Sequence, residues 1–193
     1  LTTGLVHPGF VVEEKYLNLI DEKKVEIPPH DDEDHPVLNY QWVTKNCRRD
    51  LPEDIILKIR KVYFAMIATL DEMFGELMKA IDRLGLRKST YVIFSSDHGE
   101  MAMEHSQILK RTMYEPSVHE PLIISGPDVR KGTKVETPVS LIDLFPTIMD
   151  MARTKHPQEL DGESLMPELT GQNSVRRDWI FSEYHGDRCN TGT

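Results

Sequence analysis

The chain has 193 residues and a net charge of −9, with 39% hydrophobic and 28% charged residues, a length and balance that favour one domain with a sizeable core. Its acidic excess, densest at Asp31-Asp32-Glu33-Asp34, excludes the basic stripe that nucleic acid or an anionic lipid surface requires. No apolar run approaches the roughly 20 residues of a membrane span, and no N-x-S/T sequon is present.

Residues 1–50 are interrupted by Pro8, Gly9, Pro28, Pro29 and Pro36 and read as an irregular stretch with short extended pieces. From Asp50 the character changes. Asp50 and Glu53 have the spacing of a capping box, and Pro52 fits a first helical turn. Apolar residues then recur at helical spacing from Ile55 to Leu84, which predicts one long amphipathic helix of about 45 to 50 Å at 1.5 Å per residue. Gly85 is placed to end it, with Arg83, Arg87 and Lys88 around the negative end of the helix dipole. The stripe is too wide for a coiled-coil seam, and its methionines read as core filling.

Thr90 to Phe94 and Pro121 to Ser125 read as two buried strands. Both are apolar throughout rather than alternating, which suits a parallel sheet covered on both faces. Ser140 and Asp143 have the spacing of a helix cap, with the helix running to about Ala152, so Asp143 is read as a capping carboxylate rather than a catalytic one. A last strand is expected at Trp179 to Ser182. This alternation of helices and strands predicts the α/β class.

Chemistry-bearing residues gather after the first strand, in the stretch SSDHGE at residues 95–100. In open α/β sheets, ligands bind beyond the carboxyl ends of strands. A carboxylate beside an imidazole suits a divalent cation, so Asp97 and His98 are candidate metal ligands, with calcium, manganese and zinc all left open by that pair alone. Gly99 would make the necessary backbone turn inexpensive. Lys110 follows thirteen positions after Asp97, with Arg111 behind it. A cation there complements a sulfate or phosphate ester, whose hydrolysis needs charge compensation on its oxygens. His105 and His119 read as hydrogen-bonding residues. Cys47 and Cys189 lack CxxC spacing, which argues against structural zinc; a disulfide pair and two separate thiols both fit.

The stretch SSDHGEMAMEHSQILKRTMYEPSVHEPLIISGP, with VSLIDLFPTIMD after it, resembles the type I sulfatases of the alkaline phosphatase superfamily. Their pattern is an S-D-[HN]-G strand end, a Lys about a dozen residues on, a Y-E and a V-P-L strand. The resemblance implies an alkaline phosphatase-like α/β domain with a mixed, largely parallel sheet flanked by helices, of which residues 1–193 would form the central to C-terminal part. It implies Asp97 and His98 as calcium ligands and Lys110 as the lysine that binds the sulfate group. His7, in LVHPGF, resembles the histidine of the family's P-H-x-P segment that also approaches the sulfate, although Val6 replaces the usual Pro. His185, in SEYHG, is a candidate for lining the substrate pocket. The family's formylglycine nucleophile arises from a C-x-P-S-R motif that neither cysteine carries, so it and the remaining metal ligands are expected upstream, and these residues alone are expected to be inactive. The implied activity is sulfate ester hydrolysis on an aryl sulfate or a sulfated saccharide, including uronic acids of glycosaminoglycans, in a lysosomal or secreted enzyme. The alternatives are a phosphodiesterase or phosphonate hydrolase of the same superfamily, and an inactive chain that only binds sulfated glycans or a partner.

Overall fold

The computed structural model of the chain describes residues 3–7, 9–30, 35–46, 48, 50–155, 157, 159–172 and 177–184. In chain order its helices and strands are α1 (Glu14–Leu17), α2 (Pro36–Lys45), α3 (Glu53–Arg83), β1 (Val92–Ser95), α4 (Glu115–Val118), β2 (Leu122–Ser125), α5 (Leu144–Met151) and α6 (Met166–Thr170), with short 3-10 turns at Glu22–Lys24, Glu104–Ser106 and Leu141–Asp143. The described residues fall into two compact units, one from 3–84, 98–120 and 184, the other from Gly85–Asp97 and Pro121–Glu183. No helix among the described residues is long and apolar enough to cross a membrane.

The first unit is organised on α3, whose 31 residues give about 46 Å at 1.5 Å per residue. The predicted stop holds: Leu84 is the C-cap and Gly85 takes the left-handed conformation at φ 68°. The predicted start does not. Pro52 is the N-cap with no side-chain cap bond, while Asp50 lies 3.8 Å from Arg48 Nε. An ion pair has thus replaced the Asp50 cap. The buried face of α3 presents Ala65, Met66 and Ile81, while Ile67, Met73 and Leu77 stay substantially exposed. Methionines therefore fill the core at 66, 101 and 103 but not at 73. Tyr16 of α1 is buried and donates to Glu72 Oε2 on α3 at 2.6 Å.

The region before Asp50 is more helical than expected. Pro36, read as a breaker, is at the first position of α2, where its missing N–H costs nothing, and His35 Nδ1 accepts from Val37 N–H at 3.3 Å. Trp42 on this helix is 8% exposed, with the Arg48 guanidinium 4.4 Å above its ring, within cation–π range.

In the second unit β1 and β2 pair antiparallel, with Val92 opposite Ser125 and Ser95 opposite Leu122. The parallel pairing read from their continuous apolar runs is corrected for this pair. β2 alternates half-buried and exposed residues, Ile123 being 63% exposed, which is the one-sided burial open to an antiparallel strand. The strand expected at Trp179 to Ser182 is absent. That segment has no ladder partner among the described residues, and Trp179, Ile180 and Phe181 are 73%, 47% and 67% exposed.

The capping carboxylate is found as read. Asp143 is 1% exposed and returns a bond to Ser140 N–H at 2.8 Å. It also accepts from Glu163 N–H at 2.9 Å and from both terminal nitrogens of Arg177 at 2.9 and 3.0 Å. With every lone-pair direction answered, it is a structural anchor.

Candidate functional site

The segment 98–112 leaves the end of β1 and folds back on itself within the first unit. Gly99 donates to Ser117 O at 3.1 Å, and a Cβ at Gly99 would collide with the Pro116 carbonyl oxygen. Its φ is not among the positive ones. Glycine is needed there for close approach of two backbones rather than for an unusual turn.

Beyond Gly99 the loop closes by two backbone bonds, Met101 N–H to Leu109 O at 2.9 Å and Met103 N–H to Gln107 O at 2.7 Å. Met101, Met103, Gln107 and Thr112 are almost wholly buried, and Thr112 Oγ1 donates to Gln107 Oε1 at 3.0 Å. Five non-glycine residues of the loop, Ala102, Met103, His105, Ser106 and Leu109, have positive φ. Each costs on the order of 1 kcal/mol or more and persists only where surrounding contacts enforce it.

The enforcing contacts are polar. Arg60 on α3, 11% exposed at its side chain, donates to Ala102 O and to Glu104 Oε1, both at 2.9 Å. Glu100 is 6% exposed and turns inward, its Oε1 accepting from Leu109 N–H at 2.5 Å and Ala102 N–H at 3.3 Å. Its other oxygen is buried without a hydrogen-bond partner among the described residues. Burial, followed by the carboxylates of Glu100 and Glu120, raises the Tyr63 phenol above its ordinary pKa, with Arg60 opposing.

This loop brings together three residues singled out in the sequence. Lys110 Nζ lies 2.7 Å from His7 Nε2, across 103 positions of chain. An ammonium can only donate, so Nε2 of His7 is the acceptor and its ring proton resides on Nδ1. The His7 and His98 rings are 6.2 Å apart. His98 Nδ1 lies 3.0 Å from Gly99 O; a carbonyl only accepts, so Nδ1 is the donor in this bond. Metal-binding histidines commonly have this arrangement, one nitrogen tied to a carbonyl and the other turned to the ion.

Asp97 is exposed and lies two positions past the last residue of β1. No group of three or more His, Cys, Asp or Glu among the described residues could hold a metal ion. Calcium takes six to eight oxygens; the Asp97 carboxylate suits it, whereas the His98 imidazole is a nitrogen donor of the kind preferred by zinc or other transition metals, so this pair alone is a partial donor set. His119 Nδ1 lies 2.7 Å from Glu115 Oε2, the hydrogen bonding expected of it, whereas His105 stacks on the Tyr114 ring at 3.7 Å. Arg111 NH1 reaches Tyr184 Oη at 3.5 Å. His185, Cys47, Cys189 and the acidic run at 31–34 lie outside the described residues. An open polar cavity of about 780 Å³ in the second unit, lined by Arg130, Lys134, Glu168 and Arg177 among others, contains none of the sequence-predicted site residues.

Sequence reasoning passed over Glu100 and Arg60. Glu100 stood inside the SSDHGE stretch, but nothing local marks a carboxylate as inward-facing; Arg60 interrupts the apolar stripe of α3 and reads as a solvent-facing position.

A family profile described as Sulfatase matches residues 13–154. Arylsulfatase K of Xenopus laevis is 44% identical over 167 residues, covering 82% of this chain and 31% of that protein. The phosphonate monoester hydrolase of Agrobacterium radiobacter superposes with a TM-score of 0.86 at 28% identity, covering 96% of this chain and 41% of that one. A solved structure described as a complex with its substrate D-glucosamine-2-N,6-O-disulfate has a TM-score of 0.56 at 27% identity, over 80% of this chain and 32% of that one. These neighbours show the alkaline phosphatase-like α/β fold, of which this chain is a part. The chain spans about a third of the length of the curated relatives it matches.

Proposed function

The chain belongs to the sulfatase family, and from that premise we propose that it is the central to C-terminal part of the catalytic domain of a sulfuric ester hydrolase. The observation that carries the reading is the meeting of Lys110, His7 and His98 in one unit, with Lys110 Nζ 2.7 Å from His7 Nε2. In this reading the Lys110 ammonium holds one sulfate oxygen by charge and hydrogen bonding, and His7 offers its Nδ1–H to a second. Asp97 and His98, adjacent in sequence, are the proposed calcium ligands. Bound calcium would supply charge compensation on the ester oxygens. The nucleophile, a formylglycine in this reading, lies outside these 193 residues, since neither cysteine has the required context. His185 is proposed to line the pocket.

The proposed substrate is a sulfated saccharide, with uronic acid sulfates of glycosaminoglycans favoured by the 44% identity to an arylsulfatase K. The saccharide class is also supported by the related structure bound to a disulfated glucosamine. A lysosomal or secreted location accompanies that reading. Phosphonate ester hydrolysis is the second reading, supported by the TM-score of 0.86 at 28% identity.

The test uses the full-length gene product with calcium, assayed on an aryl sulfate and an aryl phosphonate ester. We expect preference for the sulfate, and a loss of about 10²–10³-fold in turnover for Lys110→Ala, the usual effect of removing one donor to a developing anion. Thermal stability should barely change. Faster turnover of the phosphonate would favour the second reading. Normal turnover per folded molecule in Lys110→Ala would remove the assignment of that residue.

A further inference from the structure

Lys110 directly follows Leu109, and both backbone polar groups of Leu109 are held by consecutive residues. Its N–H donates to Glu100 Oε1 at 2.5 Å, and its carbonyl accepts from Met101 N–H at 2.9 Å. Leu109 has φ 70°, a left-handed conformation that a leucine does not adopt unassisted. The group assisting it is unusual. A carboxylate that is 6% exposed, with one oxygen lacking a hydrogen-bond partner among the described residues, is a costly thing to bury. Had the loop needed only an apolar plug, a leucine or methionine would serve without that cost, as Met101 and Met103 do on either side of Ala102.

We propose that Glu100 is the positioning residue of the anion-binding lysine: its carboxylate fixes Leu109 in the left-handed conformation that directs Lys110 Nζ onto His7. This rests on the sulfatase reading for the role of Lys110, but the placement itself is a property of the chain. Glu100 does not touch substrate. Of its two backbone bonds, the shorter one from Leu109 N–H acts on Lys110 and the longer one from Ala102 N–H ties the start of the loop; an amide oxygen at the same position accepts both. The conservative variant therefore has a defined outcome.

The experiment compares Glu100→Gln and Glu100→Ala in the full-length gene product, alone and combined with Lys110→Ala. Glu100→Ala should lower kcat/KM for an aryl sulfate about 10- to 100-fold per folded molecule, the scale of a small misplacement of a reacting group. Glu100→Gln should recover it to within a few-fold. In the Lys110→Ala background Glu100→Ala should have no further effect, because both act through one ammonium. A full additional loss in the double variant, or a Gln variant as impaired as the Ala variant, would overturn the proposal. A second readout does not depend on turnover. In protein carrying 15N-histidine, the Nε2 resonance of His7 should move in Glu100→Ala and stay in place in Glu100→Gln. An unmoved signal in Glu100→Ala would overturn the proposal even if aryl sulfate were hydrolysed. A moved signal in a protein without sulfatase activity would retire the sulfatase reading and leave the positioning intact.

Discussion

Among the described residues each unit buries one carboxylate, and the two are treated differently. Asp143 in the second unit is 1% exposed and accepts from two backbone N–H groups and from both terminal nitrogens of Arg177. Glu100 in the first is 6% exposed, commits one oxygen to backbone N–H groups of its own loop and leaves the other buried without a hydrogen bond among the described residues. A fully answered carboxylate holds segments together; a half-answered one spends stability on holding a conformation that the chain would otherwise leave. The first pattern belongs to architecture and the second to the place where Lys110 is aimed.

The contrast is open to test. Its largest consequence is at Asp143. Asp143→Ala strips Arg177 of its bidentate partner and leaves two backbone donors unanswered, so urea unfolding should show a loss of about 3–5 kcal/mol. The low end is favoured because Glu163 remains 3.7 Å from Arg177. Turnover per folded molecule in the full-length enzyme should be unchanged; a selective loss of activity would erase the distinction. Next is Arg60, which grips the same loop as Glu100 from α3. Arg60→Ala should cost about 1.5–3 kcal/mol, the range for a hydrogen bond to a charged group, and should speed amide exchange at Met103 and Gln107. If it lowered kcat/KM as much as Glu100→Ala, the loop would be one undivided support rather than a frame with a dedicated aiming group.

The smallest effect concerns Tyr63, whose phenol is raised above 10.0 by burial and by the Glu100 and Glu120 carboxylates. A raised phenol binds its proton more tightly in the folded protein. Its contribution is therefore complete below the ordinary value and is lost as pH rises through the folded one. Tyr63→Phe should flatten that alkaline decline in a series of melting temperatures taken upward from about pH 9, around the ordinary tyrosine value. An unchanged alkaline limb would mean that burial and its carboxylate neighbours do not raise the Tyr63 phenol.

Much of this was legible in the residues. The 3.6-residue period fixed α3 and its stop at Gly85 because a single buried stripe dominated 31 positions. Ser140 and Asp143 were legible because caps are local chemistry. The direction of β1 against β2 was not, since both runs are apolar and the connection between them is long enough for either pairing. Trp179 to Phe181 had the composition of a strand, but composition supplies no partner. α2 was hidden by treating Pro36 as an interruption when it opens a helix. At the candidate site, motif spacing singled out Lys110 and His98, but the approach of Lys110 to His7 spans 103 positions, and Leu109 just before it has a conformation that no leucine advertises.

The chain has two tryptophans, one in each unit. Trp42 is 8% exposed beneath an arginine, and Trp179 is 73% exposed. Their fluorescence should therefore separate without any label: Trp42 emitting at shorter wavelength and shielded from iodide, Trp179 emitting near the limit for water and readily quenched. Denaturation of the α3 unit will move the emission maximum, whereas loss of order around β1 and β2 will leave the colour almost unchanged and register in anisotropy.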